Sequence, residues 1–574
     1  MHSSRRFSVV MRCQGVRVLA ATATFCVLLA ANTQCMDFEH AERNVNRIRA
    51  RNEAKQLYVN GKENDVNFWS NVGIKKLESM LKVERQYGVA KNVIFFLGDG
   101  MSIPTLAAAR MYKGQMEGKA GEEDMLTFEK FPFTGLSKTY CVDSQVADSA
   151  CTATAYLTGV KGNIETIGVS GHVSNRDCVA SVVKQNRAES SMRWAQLAGK
   201  RTGVVTNMRV THATPAGAYA NVAQRNWECD DDILSDRHKL AGMDCNQTPD
   251  IARQLIENET GRNLNVIMGG GTKKFIPENQ HDEYSNQGQR KDRRNLMNEW
   301  LDLKRDPNSK AKVVQNRSQL LSVDDQTDYL LGLFAPSHMG YNLTANQTVE
   351  PTLVEMVEAA IKVLSKGDKG YYLFVEGGLI DWAHHWNCAH LALDETVMLS
   401  KAVDKALEMT SQTDTLIVVT ADHAHTMSLN GYPYRGSDIL GHPSVSDLDD
   451  LPYSTLSYAN GQGVRPDTGG HRYNLSMEDT NDVYYRFPAM INATWETHGG
   501  DDVAVFASGP WSHLFVGNYE QNYIPYAISY ASQMGPGAEH TANPNTNAAT
   551  STFSFTNLLL IVIVIAIGQL RVNN

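Results

Sequence analysis

Three apolar segments of this chain run directly into acidic or imidazole residues. Asp99 follows NVIFFLG, Glu376 follows YYLFV, and Asp422 and His423 follow TLIVVTA. Continuous apolar strands belong to a sheet buried on both faces, and an open parallel sheet places its ligand crevice at the carboxyl ends of its strands. Carboxylates and imidazoles gathered there would repel one another or stay unsatisfied without a cation, so the pattern predicts a metal cluster. Beyond Glu376 the stretch GGLIDWAHH turns into a helix, which sets Asp381 and His385 four apart on one face. That spacing lets two side chains grip one ion. Such a pair ordinarily sits on a surface, but its place just after a buried strand favours ligation.

A nucleophile candidate lies in DSQVADSACTATAYLTGVKGN, which begins at Asp143 and sets Ser149 between an acid and small residues ahead of a Thr/Ala-rich helix. A serine there can be an N-cap. The helix N-terminus also attracts anions, as a phosphoryl acceptor requires. The tripeptide alone does not choose between these roles.

These residues need elements to hold them in place. Further apolar runs, RTGVVTNM from Arg201, LNVIMGGG from Leu264 and DVAVFASG from Asp502, alternate with helical candidates. Those candidates are SSMRWAQLAGK from Ser190, TPDIARQLIENE from Thr248 and PTLVEMVEAAIKVL, which opens on Pro351. The alternation predicts an α/β doubly wound architecture, with a mostly parallel central sheet and helices on both faces. Residues 432–492, rich in Gly, Pro, Ser, Asp and Tyr, lack such runs and read as a loop-rich insertion.

VADSACTATAYL, together with FLGDGM, THATPAG, QRNW, FVEGGLIDWAHH, TADHAH and ETHGGDDVAVFA, resembles the alkaline phosphatase family, especially its animal members. The blocks run in the family's order from Asp99 to Ala507. The resemblance implies hydrolysis of small phosphate monoesters at alkaline pH, with Ser149 as the nucleophile that forms a phosphoserine. It implies one zinc ion held by Asp381, His385 and His498, and a second held by Asp99, Asp422 and His423. Asp99 would also bridge to a magnesium ion bound by Thr214 and Glu376, with His212 supporting the magnesium water shell. Arg225 would clamp two phosphate oxygens. Nitrogen and carboxylate ligands suit zinc, whereas an all-oxygen set suits magnesium. The family also implies a homodimer, a disulfide between Cys178 and Cys245, and a crown domain matching residues 432–492.

Two positions depart from the family. Trp382 follows Asp381 where many animal members have His; an indole neither ligates metal nor carries charge, so it either alters the magnesium shell or simply packs. Animal members often bind calcium through two Glu, an Asp and a carbonyl. Glu283 and Glu350 could serve here, but Ala335 stands where an acid is expected after Phe334, which argues against strong calcium binding. Cys151, two residues after the nucleophile candidate, is expected to be a small buried filler.

The ends of the chain carry their own signals. Arg5, Arg6, Arg12 and Arg17 precede the run VLAATATFCVLLAA, too short to span a bilayer, so residues 1–35 read as a signal peptide rather than an anchor. At the other end, Asn547 and two alanines lead through a polar spacer to LLLIVIVIAIG. That is the layout of a GPI-attachment signal, with Asn547 as the attachment site and residues 548–574 removed; a true membrane helix would need a longer run. The mature domain then spans 36–547 and sits on the extracellular face of the plasma membrane. Seven sequons, at Asn246, Asn258, Asn316, Asn342, Asn346, Asn474 and Asn492, agree with secretion. No two of the nine cysteines make a Cys-x-x-Cys pair, which argues against a thiolate zinc site. A net charge of -9 gives no ground for nucleic-acid binding. Two alternatives remain: a two-metal phosphodiesterase or nucleotide pyrophosphatase, and a GPI-anchored surface binding protein.

Overall fold

Every residue of NVIFFLG after Asn92 is buried, and so is every residue of YYLFVEG and TLIVVTA. Such segments are stable only inside a sheet covered on both sides. Ile94 and Phe96 pack with Leu373, Val375, Ile417 and Val419 in one core, while Val93, Phe95 and Leu97 pack with Tyr372, Phe374, Leu416 and Val418 in another. This alternation is the two-residue period of strands feeding two separate cores. The computed structural model describes residues 61–541 except 237, 238, 241 and 467. The signal peptide read at 1–35, Asn547 and the tail from 548 lie outside the described residues.

The main sheet contains β1 (Asn92–Gly98), β2 (Phe133–Lys138), β3 (Arg201–Arg209), β4 (Val266–Gly270), β5 (Ala311–Val314), β6 (Tyr329–Leu333), β7 (Tyr371–Gly377), β8 (Thr415–Ala421), β9 (Val503–Ser508) and β10 (Gly517–Glu520). Its order is β10-β2-β9-β8-β1-β7-β3-β4-β6-β5. From β8 to β5 every neighbouring pair is parallel. β9 is antiparallel to both β8 and β2, so the run DVAVFASG enters against the direction of its neighbours.

Helices cover both faces. α1 (Ile103–Met116), α3 (Leu353–Leu364) and α5 (Ala389–Met409) pack on the Ile94 side, and α2 (Ser149–Thr158) packs on the Phe95 side; α4 (Leu379–His385) leads from β7 toward α5. The cap of α3 is Thr352 rather than Pro351. Thr352 N–H donates to Glu355 at 3.0 Å and Glu355 N–H donates back to the Thr352 hydroxyl at 3.3 Å, a reciprocal cap that leaves Pro351 outside.

The segment 432–492 holds more strand than its composition suggests. Leu456–Gly461 pairs with Met427–Leu429 and with Ala489–Asn492, and Ser444–Val445 pairs with Pro452–Tyr453. These strands are short and half-exposed, so they lack the continuous apolar runs that mark a buried sheet. Cys178 is bonded to Cys245. Cys151 is bonded to Cys141 and is therefore not a free filler; Cys229 and Cys388 are buried thiols. Among the described residues no helix is long and apolar enough to cross a membrane.

Candidate active site

Ser149 is the first residue of α2, and the cap is its neighbour Asp148, whose carboxylate accepts from Cys151 N–H at 3.2 Å. Ser149 is thus relieved of the capping role its sequence allowed. Its Oγ lies 3.4 Å from Asp99 Oδ1 and 3.2 Å from His423 Nε2. The other Asp148 oxygen accepts from Arg225 Nη1 at 3.0 Å, which holds the guanidinium beside the helix N-terminus. Cys141 and Cys151 are spent in their disulfide, so with Asp148 they form no metal site.

Strand register brings the acids together. Gly98 pairs with Ala421 and Leu97 with Glu376, so Asp99, Asp422 and Glu376 arrive at one level at the ends of adjacent strands. Gly100 has φ +67°, and a side chain there would strike the His425 ring. Its N–H donates to Asp422 Oδ1 at 3.0 Å, and Thr152 donates to the other Asp422 oxygen at 3.1 Å. His423 Nε2 sits 3.4 Å from Asp99 and 3.3 Å from Asp422. Burial, followed by repulsion from Asp422, Asp381 and Glu376, pushes the Asp99 carboxyl well above its usual range. Burial also raises Asp422 and lifts Glu376 to about 8, despite the hydroxyl donated to Glu376 by Thr206.

A second cluster surrounds Asp381, on one turn of α4. Its Oδ1 lies 3.4 Å from His385 Nε2, 3.3 Å from His498 Nε2 and 2.7 Å from His425 Nε2. His385 Nδ1 contacts the Glu496 carbonyl and His498 Nδ1 contacts the Ala147 carbonyl, so both rings carry their proton on Nδ1. Their Nε2 lone pairs therefore face each other at 3.2 Å, which is repulsive unless a cation lies between them. His425 is different. Its two nitrogens face Glu496 and Asp381, and although burial opposes the charge, those carboxylates raise its pKa to about 10. Held at both nitrogens, it braces Asp381 within the group of Asp381, His385, His425 and His498 whose ligand atoms converge.

A third group joins Asp99, His212 and Glu376, whose ligand atoms lie within 4.8 Å of one another. Thr214 donates to Asp99 Oδ2 at 3.2 Å. Glu376 Oε1 and His212 Nδ1 are buried with no hydrogen-bond partner, as suits a site awaiting an ion and its waters. His212 Nε2 is 3.3 Å from Arg225. The Trp382 ring packs 4.9 Å from that of His338, which stands edge-on to His212 at 5.1 Å. Glu283 and Glu350 have separate partners, Asn316 and the Gly340 N–H. Asp148, Thr206, His425 and Glu496 escaped the sequence reading, although the blocks TADHAH and ETHGG contain the last two.

The family model for alkaline phosphatase matches residues 90–534. The chain belongs to the alkaline phosphatase family. A membrane-bound alkaline phosphatase of Bombyx mori is 46% identical over 494 residues, covering 85% of this chain and 89% of that one. The human tissue-nonspecific isozyme is 44% identical over 490 residues, covering 84% and 91%. Among solved structures, the Thermus thermophilus alkaline phosphatase covers 78% of this chain and 91% of its own, with TM-score 0.54 and 21% identity, a likeness of fold. This phosphatase is accordingly a phosphoric monoester hydrolase, and its family implies metal cofactors held in clusters such as those around Asp381 and Asp99.

Proposed function

We propose that this phosphatase hydrolyses phosphate monoesters through a phosphoserine at Ser149, with zinc at Asp381, His385 and His498, zinc at Asp99, Asp422 and His423, and magnesium at Asp99, Thr214 and Glu376. The observation that carries this reading is Ser149 Oγ, 3.2 Å from His423 Nε2, beside a second cluster whose two imidazole lone pairs converge. When bound, these ions would neutralise the phosphate dianion, favour the deprotonated serine and water, and stabilise the departing alkoxide. Ser149 Oγ loses its proton and attacks phosphorus from the Asp99 and His423 side. Arg225, braced by Asp148, grips two phosphate oxygens with its planar fork, which a lysine could not do. The alcohol leaves in line on the opposite, Asp381 side, and water then cleaves the phosphoserine from that side. His212 and Thr214 hold the surroundings of Asp99 and Glu376.

Around this chemistry we place a secreted homodimer, glycosylated and GPI-anchored at the extracellular face of the plasma membrane, with residues 432–492 as a crown beside the entrance. The test is hydrolysis of a chromogenic monoester against a diester from neutral to alkaline pH, with and without chelator. Monoester turnover should dominate, vanish with chelator and return with zinc and magnesium. Ser149→Ala should lower it at least about 1,000-fold while the protein stays folded. Faster diester cleavage would favour the phosphodiesterase alternative, and wild-type rates in the variant would remove Ser149 from the mechanism.

A further inference from the structure

Three tryptophans crowd the rim of the Asp381 cluster. Trp382 follows Asp381, Trp386 caps the C-terminus of α4, and Trp495 comes from the loop that enters His498–Gly499. The Trp495 ring stands 5.6 Å from Trp382, 4.4 Å from Trp386 with planes at 62°, and 6.4 Å from the ring of His385. The Arg486 guanidinium lies 5.5 Å from the centre of the Trp386 ring. Trp382 and Trp386 are half-buried, whereas Trp495 leaves 41% of its surface in water. A large amphipathic ring with one bare face is more informative than a scattered exposed leucine.

The loop does not present that ring by accident of flexibility. Glu496, the next residue, is fully buried; its carboxylate takes His425, the Thr426 N–H at 2.7 Å and the Thr426 hydroxyl, and its own N–H donates to the His385 carbonyl at 3.0 Å. Trp495 is therefore anchored to α4 and to His425 at the same time. In-line displacement completes the geometry. Ser149 stands at the Asp99 and His423 end, so the carbon skeleton of the leaving alcohol emerges past Asp381, His385 and His498, toward the indoles.

We propose that Trp495, backed by Trp382 and Trp386, is a stacking platform for the leaving alcohol, so that this phosphatase favours phosphomonoesters whose alcohol carries an aromatic ring over small alkyl phosphates. The proposal rests on the active site described under the proposed function and names the substrate class of that same site. The flat π face selects any planar aromatic group and reads no hydrogen-bonding pattern, so the preference is broad within that class.

The test compares kcat/KM for 2-(2-naphthyl)ethyl phosphate and butyl phosphate, whose alkanol leaving groups have similar basicity, in the metal-loaded enzyme. The wild type should prefer the naphthylethyl ester, and Trp495→Ala should lower the ratio of the two values about 3- to 10-fold, chiefly through KM. Trp495→Leu, which keeps volume and apolarity, should lower the ratio as well, whereas Trp495→Phe should keep most of it. An unchanged ratio in the Ala and Leu variants, whether both rates hold or fall together, overturns the platform. Failure of the wild type to hydrolyse either ester overturns the phosphatase reading instead.

Discussion

His425 has a carboxylate at each ring nitrogen, Glu496 on one side and Asp381 on the other, and these keep it protonated to about pH 10 against the cost of burial. His425 holds Asp381 Oδ1 where it also meets His385 and His498, so it sets the geometry of the proposed ligand set. Outer partners of this kind typically govern metal affinity by 10- to 100-fold. Glu496→Gln removes one of the two charges that protonate His425, and the expected result is a loss of zinc affinity of about that size, read by competition with a chromogenic chelator. Affinity equal to the wild type would mean that Asp381 is oriented without His425. The same logic explains why Asp99, Glu376 and Asp422 are legible in the sequence while His425 and Glu496 are not. The acids terminate visible apolar runs, but the meaning of His425 depends on a carboxylate 71 residues away.

α5 carries an acid in a place where its apolar spacing calls for core. Glu395 is buried among Asn207, which donates to it at 3.0 Å, and the Asn342 N–H, which donates at 2.7 Å, and burial raises its pKa to about 8. Asn207 in turn accepts from Gly378 N–H at 2.7 Å, so α5 braces the turn from β7 into α4. Because the folded pKa lies above the unfolded one, the stability this group contributes is fully present below about pH 4.5 and is lost as pH rises through about 8. Between those limits the folded chain keeps one extra proton, a slope of about 1.4 kcal/mol per pH unit. Glu395→Gln should flatten that part of the stability curve, measured by urea unfolding at several pH values; an unaltered slope would show that Glu395 is ionised in the folded state. Elements such as α3 and β7 are plain from their periodicity. β2, β5, β6 and β10 are not, because they sit toward the sheet edges, where strands are short or alternate in burial and compete poorly with loop signals.

At the scale of the molecule the seven sequons divide by exposure. Asn246, Asn346, Asn474 and Asn492 are exposed, whereas Asn342 and Asn316 are half-buried with their amides donated to Asp394 at 2.7 Å and Glu283 at 2.8 Å, and Asn258 spends its amide on Gln254 at 2.9 Å. Glycan mapping by mass spectrometry should find the exposed four occupied ahead of Asn258 and Asn342; full occupancy at Asn342 would require the Asp394 contact to form only after glycan transfer, or not at all. The order of the main sheet carries a different consequence. β9 lies between β8 and β2, so β2 and β10 have no place in the sheet until residue 508 has been made. The proposed ligands span Asp99 to His498, a separation that takes roughly 20 to 80 s to translate at ordinary ribosome speeds. A nascent chain therefore carries Ser149 with only Asp99 and Thr214 of the eight proposed ligands until residue 376 has been made. The proposed site can thus be completed only after His498 has been added, late in translation.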